Sequence, residues 1–170
     1  MAEETIMAIA TTLENYLQEH KINYDIINHI PTYSSMEVAR TCHISADRIA
    51  KSVIFDDGEQ YLMAVVPASC QVSILHLNDL THGHFSLATE KDGEIVFKDC
   101  EPGAYPPIGK AYGLDTVVDD KLWRQNEVYF EAGDHVEMIH LTGEQFHSLL
   151  GDVRHGQIGR FRSESHFGQK

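Results

Sequence analysis

Ala50-Lys51-Ser52-Val53-Ile54-Phe55-Asp56-Asp57-Gly58-Glu59-Gln60-Tyr61-Leu62-Met63-Ala64-Val65-Val66-Pro67 decides the fold. Two apolar runs, Lys51 to Phe55 and Tyr61 to Pro67, flank a polar link, and Asp57-Gly58 within it supplies the left-handed backbone that a tight turn needs. The pattern predicts an antiparallel hairpin. Toward the C-terminus, Val72 to Leu80 fits a helix. Thr89 to Phe97 fits either a helix or a hairpin turning at Asp92-Gly93, and the helix is favoured. Thr116 to Asp119, Val128 to Phe130 and Val136 to Leu141 read as strands. Thr142 followed by Gln145 has the form of a capping box and starts a last helix to about Leu150.

Toward the N-terminus, Ser45 caps a short turn over Ala46 to Ile49. Ser34 with Glu37 caps a helix to about Thr41, and Tyr24 to His29 is a strand that Pro31 ends. Ile6, Ile9, Leu13, Tyr16 and Leu17 recur at helical spacing, which predicts an amphipathic helix over about residues 4 to 20. Strands interleaved irregularly with short helices argue for an α+β fold, a mixed, curled and barrel-like sheet surrounded by short helices, and against a regular βαβ array. One domain over residues 1–151 is expected, with a polar tail over 152–170 that frays.

The chain has 170 residues, 42% of them hydrophobic and 23% charged, enough to bury a core without disulfides or metal staples. Its formal net charge of -13, from 13 Lys and Arg against 26 Asp and Glu, repels phosphate backbones on average. DNA is not an expected partner, and any nucleic-acid contact must be confined to a small electropositive pocket. Cys42, Cys70 and Cys100 form no Cys-x-x-Cys pair and read as reduced core thiols. Glu3 and Glu4 carry the wrong charge for a signal peptide and no apolar run reaches membrane-spanning length, so the expected location is the cytoplasm, with no membrane partner.

Familiar catalytic machinery is missing from the pattern. Gly-x-Ser-x-Gly and a phosphate-binding Gly-rich loop are absent, and Cys42-His43 are neighbours that point apart on a helix end. Among eleven histidines the closest pair is His82-Gly83-His84, without a His-x-x-x-His or a clustered carboxylate, so no metal site and no cofactor is expected. Two features stand out instead. Gly103-Ala104-Tyr105-Pro106-Pro107-Ile108-Gly109 is a loop stiffened by two prolines between two glycines, able to hold backbone N–H groups toward a ligand or to serve as a plain connector. Lys51 is a cation opening an apolar strand, either a surface residue or a phosphate anchor at a cleft rim. His135 and His140 flank the strand Val136 to Leu141, and their odd separation assigns them to opposite faces.

Together these residues resemble the YbaK/EbsC family, which includes the editing domain inserted in bacterial prolyl-tRNA synthetases. The resemblance runs over about Tyr24 to Leu150. It is carried by Ala50 to Phe55, by Ala64-Val65-Val66-Pro67, by Gly103 to Pro107 as the family's Gly-x-x-x-Pro loop, and by Val128-Tyr129-Phe130-Glu131-Ala132-Gly133. It implies a deacylase that hydrolyses the ester of a mischarged tRNA, with a small amino acid such as Ala, Ser or Cys on tRNA(Pro). Lys51 would hold the phosphate near the terminal adenosine, backbone amides of Gly103, Ala104 and Tyr105 would stabilise the oxyanion, and Pro107 would fix the loop. Pro106, Ile108 and Gly109 would border the substrate. His140, following Gly133 as a histidine does in the synthetase editing domain, is the candidate for side-chain selection, with His135 as rival. Attack assisted by a ribose hydroxyl of the substrate would explain the missing nucleophile.

The implied partner is the aminoacyl-tRNA acceptor end, together with an aminoacyl-tRNA synthetase that could hand the substrate over. The alternative is a non-catalytic module that binds a nucleotide or tRNA end beside a protein partner. A metal-dependent hydrolase using the histidines is the third and weakest reading.

Overall fold

The structure, a computed structural model, describes residues 9–162. Helix α1, Thr11–Glu19, buries Leu13 and Leu17. Residues 4 to 8 of the expected helix lie outside the described residues. Strand β1, Asp25–Asn28, leads to helix α2, Ser35–Cys42, capped by the Ser34 hydroxyl accepting the Glu37 N–H at 3.1 Å. A 3₁₀ turn, Ala46–Arg48, is capped by Ser45. The expected hairpin follows as β2, Ala50–Asp56, and β3, Tyr61–Pro67, in antiparallel register with Lys51 opposite Val66. Gly58 has φ 94°, the left-handed backbone that the turn called for.

Next come β4, Cys70–Val72, α3, Ile74–Thr81, and β5, Ser86–Leu87. The Thr89 to Phe97 segment is a helix, α4, Glu90–Val96, because Thr89 and Asp92 complete a capping box. A 3₁₀ turn, Gly109–Tyr112, precedes β6, Asp115–Asp119, α5, Asp120–Trp123, β7, Glu127–Glu131, β8, Glu137–Thr142, and α6, Gly143–Leu150, again with a complete capping box. Strands β9, Arg154–Gly156, and β10, Gly159–Phe161, end the described chain.

The strands form a five-stranded mixed sheet in the order β5-β2-β3-β6-β9, a three-stranded antiparallel sheet β1-β8-β7, and the pair β10-β4. One bridge between Ile49 and Tyr129 links the two larger sheets. The fold is thus α+β with a curled mixed sheet, as expected, but the sheets do not close into a barrel. β3 is buried on both sides, Met63 and Val65 in the main core with α1, β7, β8 and α6, and Leu62, Ala64 and Val66 in a second core under α3. That explains its unbroken apolar run. A third cluster, around Val38, Ala39 and Met138, packs α2 on the three-stranded sheet.

Over residues 152–162, the part of the tail that is described, the chain is held in place. The buried carboxylate of Asp119 accepts the N–H groups of Ile158 at 3.0 Å and Gly159 at 2.7 Å, and Ile158 is fully buried. His155 stacks on Trp123 and meets Asp120 at 2.7 Å. Few apolar residues suffice here, because a buried carboxylate that needs donors draws the segment in.

Candidate functional site

The Gly103 loop is fixed from three sides. Its carbonyl at Tyr105 accepts the Ser52 hydroxyl of β2 at 2.7 Å. The Tyr105 ring stacks on Phe97 at 4.3 Å, and its hydroxyl lies so close over Gly93 of α4 that a Cβ there would meet it at 2.7 Å. At the loop's root the Glu101 N–H donates to Gly133 O at 2.7 Å, and His135 Nε2 lies 2.6 Å from Pro102 O. A carbonyl only accepts, so Nε2 of His135 carries the hydrogen. Gly103 itself is exposed with φ 82°.

Ala104, Pro106, Pro107, Ile108 and Gly109 are all buried. They frame the loop from beneath: Ile108 belongs to the main core, and a Cβ on Gly109 would overlap the Thr116 hydroxyl and lie 3.0 Å from Leu114 O. The Ala104 N–H donates to Glu101 O at 3.1 Å, whereas the N–H groups of Gly103 and Tyr105 donate to no carbonyl among the described residues. The Tyr105 hydroxyl is raised by burial, which the neighbouring Gly103 N–H partly offsets.

A cleft of about 310 Å³ runs beside the loop, lined by Ser52, Val53, Ala88, Gly93, Gly103 and Tyr105, among others. It suits a sugar and a small acyl group rather than a folded macromolecule. A larger cavity of about 390 Å³ opens between Lys110, Asp115 and Arg154. It contains no residue singled out by the sequence and no loop amide, so the smaller cleft is the better candidate for ester chemistry.

Lys51 neighbours this cleft through the backbone only. Residues 50, 52 and 54 of β2 face the main core and the loop, so Lys51 leaves the opposite face, beside Val53 and Phe55 of the second core. Burial and the like charge of Arg162, just beyond β10, lower its ammonium to about 8, with a small opposing effect from Cys70. The ammonium does not line the cleft.

The two histidines also part company. His135 adopts φ 59° in the turn before β8 and sets its ring 3.6 Å from where a Gly103 Cβ would stand. His140, within β8, stacks on Tyr129 at 4.4 Å between Asp25, 3.3 Å away, and Glu127, 3.4 Å away. The rival is therefore the one at the loop.

Nucleophilic thiols are not on offer here. Burial raises the Cys42 thiol and pushes that of Cys100 up to about 12, against the partial relief of the Tyr112 hydroxyl. Among the described residues no group of three or more His, Cys, Asp or Glu is arranged to hold a metal ion. Ser52, Gly93 and Pro102 line the candidate cleft and were missed by sequence reading. For Ser52 a signal existed, since strand alternation places it on the face opposite Lys51.

No curated protein sequence matches the chain. Solved structures do. A crystal structure titled "putative trans-editing enzyme for prolyl tRNA synthetase" superposes with a TM-score of 0.79 at 17% identity, covering 93% of this chain and 99% of that one. Hypothetical protein APE2540 gives 0.78 at 18% identity, covering 88% and 99%. A "putative signal transduction protein" from Marinobacter aquaeolei VT8 gives 0.72 at 14% identity, covering 89% of this chain and 31% of that longer one. At such identities these likenesses establish the fold. The sequence signature of the aminoacyl-tRNA editing domain matches residues 29–149, most of the chain. The chain belongs to the aminoacyl-tRNA editing domain family.

Proposed function

We propose that this protein is an aminoacyl-tRNA deacylase acting in trans, releasing a small amino acid such as Ala, Ser or Cys from tRNA(Pro). A water oxygen adds to the ester carbonyl carbon, and negative charge gathers on the carbonyl oxygen. The acyl–oxygen bond to the ribose then breaks as the ribose oxygen takes up a proton, leaving a free amino acid and an uncharged tRNA. An aminoacyl ester is activated enough that orientation and oxyanion stabilisation supply most of what is needed, with a ribose hydroxyl of the substrate orienting the water.

One observation carries this reading: a loop clamped to β2, α4 and the β7–β8 turn, with the N–H groups of Gly103 and Tyr105 uncommitted to any carbonyl among the described residues, beside a cleft of acyl-group size. We assign oxyanion donation first to the Tyr105 N–H, because the Ala104 N–H is taken by Glu101 O and the Gly103 N–H already meets the Tyr105 hydroxyl, from which the substrate would have to draw it. Lys51 remains the candidate phosphate contact, reached from the other face of β2. Its like-charged neighbour Arg162 favours an anion there in a chain of net charge -13. Pro106, Pro107, Ile108 and Gly109 act as the frame. Cleft size excludes bulkier acyl groups. Whether a synthetase hands over the tRNA is a further element of the proposal, and an acidic surface favours a partner that supplies the general affinity for RNA.

Incubation with Ala-, Ser- and Cys-charged tRNA(Pro) tests the reading. Release above background that Gly103→Val abolishes is expected. Tight binding of uncharged tRNA with no release from any substrate would favour the binding-module alternative.

A further inference from the structure

His29 and Glu131 form a buried contact that the hydrolysis does not use. His29 is 1% exposed at its side chain, and its Nδ1 lies 2.8 Å from Ile30 O. A carbonyl cannot donate, so Nδ1 holds the hydrogen. Nε2 then faces Glu131 Oε1 at 3.0 Å. Neutral imidazole protonated at Nδ1 offers a lone pair at Nε2, and an ionised carboxylate offers only lone pairs. Two lone pairs do not rest at that distance in a buried setting. One proton must lie between the two side chains.

The surroundings do not provide a substitute. Among the described residues, Nε2 of His29 and Oε2 of Glu131 are buried with no well-aligned hydrogen bond, as is Oδ2 of Asp134, whose charge acts on Glu131. The groups acting on Glu131 are His29 from the end of β1, and Asp134 and His135 from the β7–β8 turn; its own charge reaches Cys42 of α2. Burial raises the Glu131 carboxyl, more than His29 and His135 draw it down, and Asp134 adds to the rise.

This contact sits at the root of the turn that grips the loop. Glu131 ends β7, and the N–H of His29 donates to Val136 O at 2.8 Å, so the two side chains bracket residues 132–136. From that turn, Gly133 O and His135 Nε2 hold Glu101 and Pro102. We propose that a single proton shared by His29 and Glu131 keeps the 132–136 turn in place, making both side chains positioning residues for the Gly103 loop. Neither touches substrate. The site they position is the one under Proposed function, and the inference rests on that reading for its kinetic consequence alone.

The direction of the pH effect follows from proton binding. Separated in the unfolded chain, the carboxyl and the imidazole together hold no extra proton above the ordinary histidine range, whereas the native contact retains one to higher pH. Native protein therefore binds more protons only above the histidine range, and its stability falls as pH rises from there through the native value.

Glu131→Gln tests this directly, because the amide NH₂ can donate to Nε2 without titrating. Thermal unfolding across roughly pH 6 to 9 should show the midpoint of the natural protein falling relative to Glu131→Gln as pH rises, and Glu131→Ala lowest throughout. With charged tRNA, Glu131→Ala should lose about tenfold in kcat with little change in KM, and Glu131→Gln should recover it and hold it to higher pH. Unfolding curves of the natural protein and Glu131→Gln that stay parallel in pH would overturn the inference. Because unfolding needs no substrate, that result is distinct from an absence of deacylation. Imidazole nitrogen resonances of the natural protein give a check without any variant: Nε2 of His29 free of any proton throughout, with Glu131 ionised, would also overturn it.

Discussion

The two faces of strand β2 do different work, and a single residue step separates them. Ser52 looks inward and ties the Gly103 loop through Tyr105 O, at a site framed by neutral, close-packed groups. Lys51 looks the other way, toward the second core and Arg162, where charge dominates. Residue types that seemed to belong to one mouth are therefore divided by the sheet, with backbone between them. An acyl group and a phosphate of one substrate could be held from opposite faces only if the substrate reaches around the edge of the strand. The comparison teaches that proximity along a strand is not a shared cavity, because each step of one residue reverses the side chain.

The largest effect should come from the loop face. Gly103→Val puts a side chain at φ 82°, costing about 1–3 kcal/mol in backbone strain, although the space toward His135 is open enough for a Cβ. Misplacing the loop amides should then lower deacylation on the order of a hundredfold or more. Measured kcat/KM beside an unfolding midpoint separates the two losses. A variant that folds and keeps its rate would remove the loop from the chemistry.

The cation face should give a smaller and differently shaped effect. Lys51→Ala should raise KM more than it lowers kcat, with kcat/KM down roughly 10- to 100-fold, the range for one charge-assisted contact. Because the ammonium lies at about 8, substrate binding should weaken as pH rises through that value, and Lys51→Arg should carry the fall to higher pH. The stability effect runs the other way. A lysine lowered in the native state binds fewer protons there than when unfolded, so stability rises with pH between about 8 and the ordinary lysine range. Lys51→Met should flatten that rise.

Ser52→Ala sharpens the contrast at the same strand. It removes one half-buried hydrogen bond, worth about 1 kcal/mol, and frees the Tyr105 carbonyl. A several-fold loss in kcat with KM unchanged is expected, the reverse of the Lys51→Ala pattern. If the two variants changed the same constant by the same factor, the division between faces would have no kinetic meaning.

Sequence reading captured those elements whose signals are local. The hairpin declared itself through Asp57-Gly58, and the helices at Ser34 and Thr142 through their caps, since each signal lies within four residues of what it controls; Thr89 to Phe97 fitted a hairpin as well as a helix until its capping box was seen. β4, β5, β9 and β10 were missed because strands of two or three residues carry no periodicity and are held by partners far away in the chain, as Asp119 holds Ile158 and Gly159. At the site, the stiffness of Gly103 to Gly109 was legible from its prolines, but the burial of Pro106 to Gly109 was not, because a proline beneath a loop and one at its surface look alike in sequence. The hydrogen bond from Ser52 to Tyr105 spans 53 positions and had no local trace.

The smallest expected effect concerns the two histidines, and it decides which of them senses the substrate. His140 stacks on Tyr129 with a carboxylate on each side, a half-exposed arrangement contributing about 0–1 kcal/mol. Its partners belong to β1 and β7 and none to the loop, so His140→Ala should leave both the rate and the order of preference among Ala, Ser and Cys esters as they are. His135→Ala removes the donor at Pro102 O and the ring beside Gly103, and should lower kcat several-fold for every ester alike, because it loosens the loop rather than the fit around the acyl group. A changed preference in the His140 variant, measured by competing the charged tRNAs in one reaction, would move amino-acid selection to the far face of the three-stranded sheet. It would also break the assignment of the cleft beside β2.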